Sequence, residues 1–303
     1  MRRPAPRLRR VSVVGVLLRT PRGAAAATWL ALLLVAAAVS RAWTPLDPFT
    51  TDPYSAWLPP SAAHLLGTDS VGRDIASYLL AASATTVVVA VCAGLVAVVV
   101  GLGLAALGSL TARWVRDGVA VLIDVLVAFP TILVAMALAA VFGGSLGVVV
   151  VAVGIGYGVA IARVSRSELR RVATTDYVLA ARASGLGTAA VLRRHVLPNA
   201  APVLVVQVSL AMATSILAEA GLSYLGYGAP ASVASWGRLL SDLQPFVGTH
   251  PWTVAWPGLA ITLTVLAFNL LGDALRDAGD PRLRTRRRAT RRSPAAPTGR
   301  TAP

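Results

Sequence analysis

From Leu79 to Leu110 the chain runs without a charged residue. That stretch exceeds the ~20 apolar residues an α-helix needs to cross the hydrocarbon core of a bilayer. Inside lipid every backbone polar group must be satisfied within the segment, so a membrane-spanning helix is predicted there. Five further stretches qualify, giving six predicted spans at about 24–42, 80–109, 118–142, 146–163, 201–222 and 254–273. A tight turn at Phe142-Gly143-Gly144-Ser145 separates the third from the fourth. Composition agrees: of 303 residues 56% are apolar and 14% charged, against roughly 25% charged in a soluble domain. The expected fold class is all-α integral membrane.

The formal charge of +15 comes from 28 arginines and 13 acids. There is no lysine, so neither a P-loop lysine nor a Schiff-base lysine exists on this chain. The single cysteine, Cys92, excludes an internal disulfide and a cysteine-built metal site. The arginines fall between the apolar runs: seven in 1–23, two in 110–117, seven in 163–200 and nine from 274 onward. Only Arg41, Arg73 and Arg238 lie in the alternate connections. Positive charge accumulates on the cytoplasmic side, so both termini are expected inside a multi-pass protein of the cytoplasmic membrane. A cleaved signal peptide or a twin-arginine signal at Arg9-Arg10-Val11-Ser12 is the rival reading of the N-terminus. Arg19 and Arg22 interrupt the apolar run such a signal needs, and the span from Ala24 is long enough to stay as an anchor. Trp29 and Trp43 near its ends fit the interfacial belt.

Three connections are long: 43–78 and 223–253 outside, and 164–200 inside. In the inner one, Thr175 or Asp176 is a predicted N-cap for a helix beginning Tyr177 to Ala183, with Gly185 or Gly187 as its stop. Thr188 is expected to cap a second short helix through Arg193, and Pro198 to stand near the start of the fifth span. The first helix exposes small residues at Ala180 and Ala181, flanked by Arg182 and the Arg193-Arg194 pair, a surface another protein with an acidic rim can approach closely. The competing reading is an alanine-rich solvated loop helix.

Ala180-Ala181, three residues, Gly185, nine residues, His195, one residue and Leu197-Pro198 resembles the EAA loop of ABC-importer permeases. Leu179 stands where that family usually has Glu and His195 where it usually has Ile. His195-Val-Leu-Pro198-Asn199 looks like the dipeptide, oligopeptide and nickel branch. Three further strings resemble that branch: His64-Leu-Leu-Gly-Thr-Asp69-Ser-Val-Gly-Arg73-Asp74, Asp124-Val-Leu-Val-Ala-Phe129-Pro130, and Glu219-Ala-Gly-Leu-Ser-Tyr-Leu-Gly-Tyr-Gly228. So do Ser235-Trp236-Gly237 and Phe268-Asn-Leu-Leu-Gly-Asp273 with the residues to Arg282, so that the likeness covers about residues 12–283.

The resemblance implies a type I ABC-importer permease fold of six transmembrane helices with a cytoplasmic coupling helix. Its parts would be a basic tail 1–23, a first helix 24–42, an extracytoplasmic loop 43–78, a five-helix domain 79–274 holding the loop 175–198, and a basic tail 275–303. It implies a permease subunit that translocates peptides, with nickel or another small solute as the alternative cargo. Implied partners are a second homologous permease, cytoplasmic ABC ATPase subunits, an extracytoplasmic solute-binding protein and the lipid bilayer. ATP and Mg would be bound by the ATPase subunits, leaving no cofactor and no catalytic residue on this chain. Leu179, Ala180, Ala181, Gly185, His195, Leu197 and Pro198 would carry ATPase coupling.

Other constellations are weighed on their residues. Asp124, Glu219 and Asp273 lie in or near spans, where charge is costly, and are candidates for gating or for pairing with Arg116, Arg238 or Arg276. Asp69, Arg73 and Asp74 are expected to form an ion-paired turn on the outer surface, either solvated or in contact with the binding protein. Gly154-Ile-Gly-Tyr-Gly158 is similar to a potassium-channel filter, but reads better as a small-residue packing strip. His64, His195 and His250 are not spaced for a metal site. No hydrolase set appears, and Asp277 and Asp280 stand in a basic tail. The arginines of 286–292 suit anionic lipid rather than nucleic acid. The different-class alternatives are an ATP-independent channel or secondary transporter, which usually carries buried ionisable residues at mid-membrane, and a scaffold without transport.

Overall fold

A computed structural model of the chain describes residues 20–279. The expectations for the basic tails before Thr20 and after Gly279 lie outside the described residues. Helix α1 (Pro21–Val39) starts with Thr20, whose hydroxyl accepts from Gly23 N, and with Pro21 at a position where its missing N–H is harmless. Helix α2 (Ile75–Leu110) is capped by Asp74 and has 36 residues. At 1.5 Å per residue it is about 54 Å long, well beyond the hydrocarbon core. Helices α3 (Arg113–Val127) and α4 (Thr131–Phe142) follow, then α5 (Leu146–Ala173) and the short α6 (Asp176–Ala183). A turn of α-helix, α7 (Thr188–Val191), passes through a π segment (Leu192–Val196) into α8 (Leu197–Tyr224). Helix α9 (Trp236–Leu243) and α10 (Pro251–Gly279) complete the order. Among the described residues five helices are long and apolar enough to cross a membrane, and six spans result if α3 and α4 are one.

The predicted third span, 118–142, is not one rod. Its two helices meet at 80° across Ala128-Phe129-Pro130. Pro130 lacks an N–H and disfavours helical backbone at Phe129, so the ladder stops there. Direction of travel shows what the bent pair accomplishes. Gly154 lies against Val96, Gly158 against Val100, Gly101 against Ile161 and Gly108 against Arg166, so α2 and α5 run the same way. Two parallel spans separated by one connection require that α3 and α4 together bring the chain back across. Helix α8 runs opposite to both α2 and α10: Ala97 clusters with Ala211 and Ala90 with Ile216, while Gly272 meets Ser209 and Phe268 clusters with Ile216.

The predicted break before the fifth span is also absent. Gly187, not Thr188, holds the N-cap position of α7, and the helix then continues from Thr188 to Tyr224. Pro198 cannot donate to the ladder, and the chain accommodates it by widening one turn, where Leu197 N bonds Leu192 O. The Asn199 side chain donates to His195 O at 2.6 Å, satisfying a carbonyl beside the irregularity.

The α2–α5 seam is made of small residues. A Cβ on Gly158 would sit 2.8 Å from Val100 Cβ and 3.1 Å from Ala97 O, and one on Gly101 2.6 Å from Ile161 Cγ2. The Gly154-Ile-Gly-Tyr-Gly158 string lies inside α5 as continuous helix, so its carbonyls are used by the helix ladder and it is a packing strip, as its composition suggests. Gly158→Leu is expected to lower unfolding stability in detergent by about 1–3 kcal/mol, the usual cost of overpacking. Gly118→Ala, in α3 where a Cβ meets open space, should raise it by up to ~1 kcal/mol. Thermal unfolding of the two purified variants against wild type checks both signs.

Candidate functional site

Two clusters of the sequence-predicted residues occupy opposite ends of the helices. At the arginine-rich end, α6 is an elbow between α5 and α8. Thr175 occupies its N-cap position without capping: its hydroxyl donates to Val172 O at 2.6 Å instead. Gly185, with φ +84°, ends the helix. Leu186 N bonds Ala181 O at 3.3 Å and Gly185 N bonds Arg182 O at 3.0 Å, the paired bonds of a Schellman cap. Nothing lies within 4 Å of a Cβ built on Gly185, so the demand for glycine is one of backbone conformation and not of space.

Val178 seats the elbow. It is fully buried among Ala105 of α2, Leu169 and Val172 of α5, and Val191, Val196, Ala200 and Leu204 of the α7–α8 helix. Leu186 and Leu197 pack on the same cluster. The opposite face is open: Leu179 and Tyr177 are 49% and 46% exposed, and Ala180 and Arg182 are exposed beside them. Ala181 and His195 are half-buried and Pro198 is exposed. The structure therefore brings Leu179, Ala180, Ala181 and Gly185 onto one short element, with His195, Leu197 and Pro198 on the π segment and the first turn of α8.

At the arginine-poor end the predicted outer turn is a buried junction, not a solvated one. Asp69 and Asp74 are 1% and 4% exposed. The Asp69 carboxylate accepts from Val71 N and Arg73 N and takes the Arg73 guanidinium at 2.6 Å. Arg73 then reaches Asp242 of α9 at 2.8 Å and lies over the Tyr78 ring. Burial pulls its pKa down, but Asp242 and Asp69 outweigh burial and hold it above the ordinary arginine value. Asp74 accepts from Ser77 N and from His64 Nδ1 at 3.0 Å. Gly72, at φ +78°, lets this turn lie directly on the Asp52 carbonyl, where a Cβ would collide. Asp242 was not legible as a partner, because 169 residues separate it from Arg73 and its own helix marks it only as a polar position.

The three intramembrane acids do not pair with Arg116, Arg238 or Arg276. Asp124 faces Arg163 at 3.9 Å, with both side chains more than 60% exposed. Asp273 is exposed. Glu219 is buried in α8 and accepts from the Ser223 hydroxyl at 2.6 Å and the Ser235 hydroxyl at 2.8 Å. Ser235 in turn caps α9 and Ser223 accepts from Ala229 N, so this carboxylate ties the 225–235 connection onto α8. Hydroxyls do what an arginine was expected to do. His250 stacks on Trp57 with centroids 3.9 Å apart, beside an apolar cleft of about 360 Å³ that Trp252 and Trp256 also line.

Removing Arg73 leaves Asp69 buried without its counter-ion. Arg73→Ala is expected to destabilise by about 3 kcal/mol or more, whereas Asp242→Asn, at a side chain one-third exposed, should cost under ~1 kcal/mol. Chemical unfolding in detergent, with proteolysis of the 43–74 segment as the local readout, distinguishes the two.

With both ends in view, known proteins supply the frame. Residues 97–285 match the family described as binding-protein-dependent transport system inner membrane component. The dipeptide transport system permease protein DppC of Alkalihalophilus pseudofirmus is 36% identical over 78% of this chain and 77% of its own length. The nickel transport system permease protein NikC of Escherichia coli is 36% identical over 84% of this chain and 92% of its own. A putative peptide transport system permease protein of Brucella suis is 38% identical over 84% of this chain and 86% of its own. Among solved structures, a chain of the MetNI methionine ABC transporter in an inward-facing conformation superposes with a TM-score of 0.57 and 18% identity, over 67% of this chain and 96% of that one. At that identity the likeness speaks for the fold, which is that of type I ABC-importer permeases. This chain belongs to the family of binding-protein-dependent transport system inner membrane components.

Proposed function

We propose that the chain is the membrane-spanning permease subunit of an ATP-driven importer of peptides, moved by ATPase subunits that dock on the α6 elbow. The observation that carries this reading is the seating of α6: one buried residue, Val178, packs against both α5 and α8 while the face holding Leu179 and Ala180 stays open. A push on that face is passed to two spans at once. Peptides are the cargo favoured by the dipeptide and peptide permeases among the relatives. Similarity to a nickel permease supports nickel as the second reading, and calorimetry on the associated binding protein separates the two.

In this scheme the arginine-rich end and both termini face the cytoplasm. ATP and Mg reside on the ATPase subunits, since this chain has no lysine for a Walker A loop. A second permease completes the pathway, and an extracytoplasmic binding protein delivers cargo to the other end. Closure of ATP-bound ATPases draws the elbow inward and opens the pathway outward; hydrolysis resets it. Leu179, Ala180, Ala181, Gly185, His195, Leu197 and Pro198 carry the coupling. Of the three acids Asp124 is the gating candidate, because its pair with Arg163 is loose and open, while Glu219, held by two hydroxyls, is structural. Asp69, Arg73 and Asp74 support the surface that meets the binding protein, with the two carboxylates turned inward.

Gly185 gives the decisive variants. A β-branched residue in left-handed backbone costs about 1–2 kcal/mol, so Gly185→Val should lower ATP-dependent uptake by the reconstituted importer on the order of tenfold. Gly185→Asn, which tolerates that backbone, should retain most of it. Uptake driven by an ion gradient with no ATPase present would refute the assignment.

A further inference from the structure

The arginine-rich end holds a second feature that the elbow does not use. Arg166 and Arg170 of α5 converge on the C-terminal end of α2. The Arg170 guanidinium donates to Gly108 O at 3.3 Å. Arg166 lies against the same residue, with its Cδ and Nε 3.2 and 3.4 Å from where a Cβ on Gly108 would be. Val119 Cγ1 of α3 lies 3.2 Å from the same point, and Arg116, one turn before it on that helix, adds to the positive charge around Arg170.

The local acids do not balance this charge. Asp117 is shared with Arg113 at 3.7 Å and with Arg116 at 4.0 Å. Glu168 is bound by both ends of the Arg171 fork at 2.6 and 2.8 Å. Among the described residues neither Arg166 nor Arg170 has a carboxylate within 4.0 Å. Polar atoms here are also unsatisfied. Arg166 Nε, Ser165 Oγ and Ser109 Oγ are buried and have no hydrogen-bond partner among the described residues, and Ser165 is fully buried. Natural proteins rarely leave such groups orphaned without a reason.

The geometry points to a phosphate-binding site formed by Arg116, Arg166 and Arg170 at the end of the α2–α5 seam. A phosphate offers several acceptor oxygens and negative charge, which is what planar guanidinium forks and nearby hydroxyls recognise. The place in the fold favours the headgroup of an anionic phospholipid, because basic pockets between transmembrane helices on the cytoplasmic side take such headgroups. Free phosphate presents the same chemistry. The site adjoins the elbow: Leu169 and Val172, next to these arginines in sequence, pack on Val178. An occupant would stiffen the end of α5 from which the elbow hangs. The inference stands apart from the choice of cargo.

Native mass spectrometry of the full chain in neutral detergent tests it, with phosphatidylglycerol, phosphatidylcholine of the same acyl chains, and inorganic phosphate as separate probes. Phosphatidylglycerol should be retained over phosphatidylcholine, and the double substitution Arg166→Gln with Arg170→Gln should cut its retention about tenfold, equal to ~1.4 kcal/mol. A phosphate adduct lost in the same variant would support the site and assign it to the free ion. Circular dichroism and a single gel-filtration peak establish that the variant folds. If it does not, Arg116→Gln, at a half-buried position, and Ser165→Ala decide, each with a smaller loss expected. Equal retention of both lipids, or retention unchanged by these substitutions with no phosphate adduct, overturns the proposal and leaves the arginines to an acidic protein partner.

Discussion

Close approach of α2 and α5 is the contact on which the rest of the molecule is built. In lipid there is little hydrophobic drive to bring two apolar helices together, so association depends on packing. Gly101, Gly154 and Gly158 supply it by letting valine and isoleucine side chains of one helix lie on the backbone of the other. Because the seam follows the C-terminal half of α2 along α5, from Val96 at Gly154 to Gly108 at Arg166, it fixes the arginine-rich end as well as the middle. One end sets the Gly108–Arg166 contact, and with it the position from which α5 leads into the elbow.

The two ends are finished by different physics. The arginine-poor end is locked by charge and hydrogen bonds between segments far apart in sequence: Arg73 with Asp242, Trp236 Nε1 with Leu79 O, and Glu219 with Ser235. Such groups, once buried, resist being separated, because each leaves an uncompensated partner behind. The arginine-rich end is closed by apolar contact around Val178 and a Schellman cap, with most of its arginines exposed. A rigid cap on one end and a greasy, exposed elbow on the other suit a subunit driven from one side only.

How much of this was legible in the sequence depended on the range of the interaction. The spans and the arginine bias are local or additive properties, and they could be read directly. So could the elbow stop at Gly185, because a positive φ is demanded by the turn itself. The 80° bend at Pro130 was hidden because hydropathy counts apolar residues without regard to direction, and the two halves read as one run. Continuity through Pro198 was hidden for the opposite reason: proline signals a boundary, and nothing local announces that one π turn will absorb it. The Asp69–Arg73 pair, four residues apart, was legible, but the second partner of Arg73 and the partners of Glu219 were not, because sequence distance is a poor guide once folding places Asp242, Ser223 and Ser235 beside them.

The π turn has a mechanical meaning if the elbow transmits force. Protein interiors are densely packed and transmit displacement rather than absorb it, so movement of Val178 must shift Leu169 and Val172 together with Val191 and Val196. Helix α5 is uninterrupted from Leu146 to Ala173 and so would move as one rod. The opposite arm is different: the π segment at Leu192–Val196 and Pro202 within α8 both weaken the helix ladder close to the elbow. Bending is therefore concentrated between the elbow and the body of α8, whose other end is held by Glu219. One arm of the elbow is an unbroken rod and the other carries the weakened ladder, so a displacement of α6 is expected to move α5 as a unit and to bend the α8 arm near the elbow.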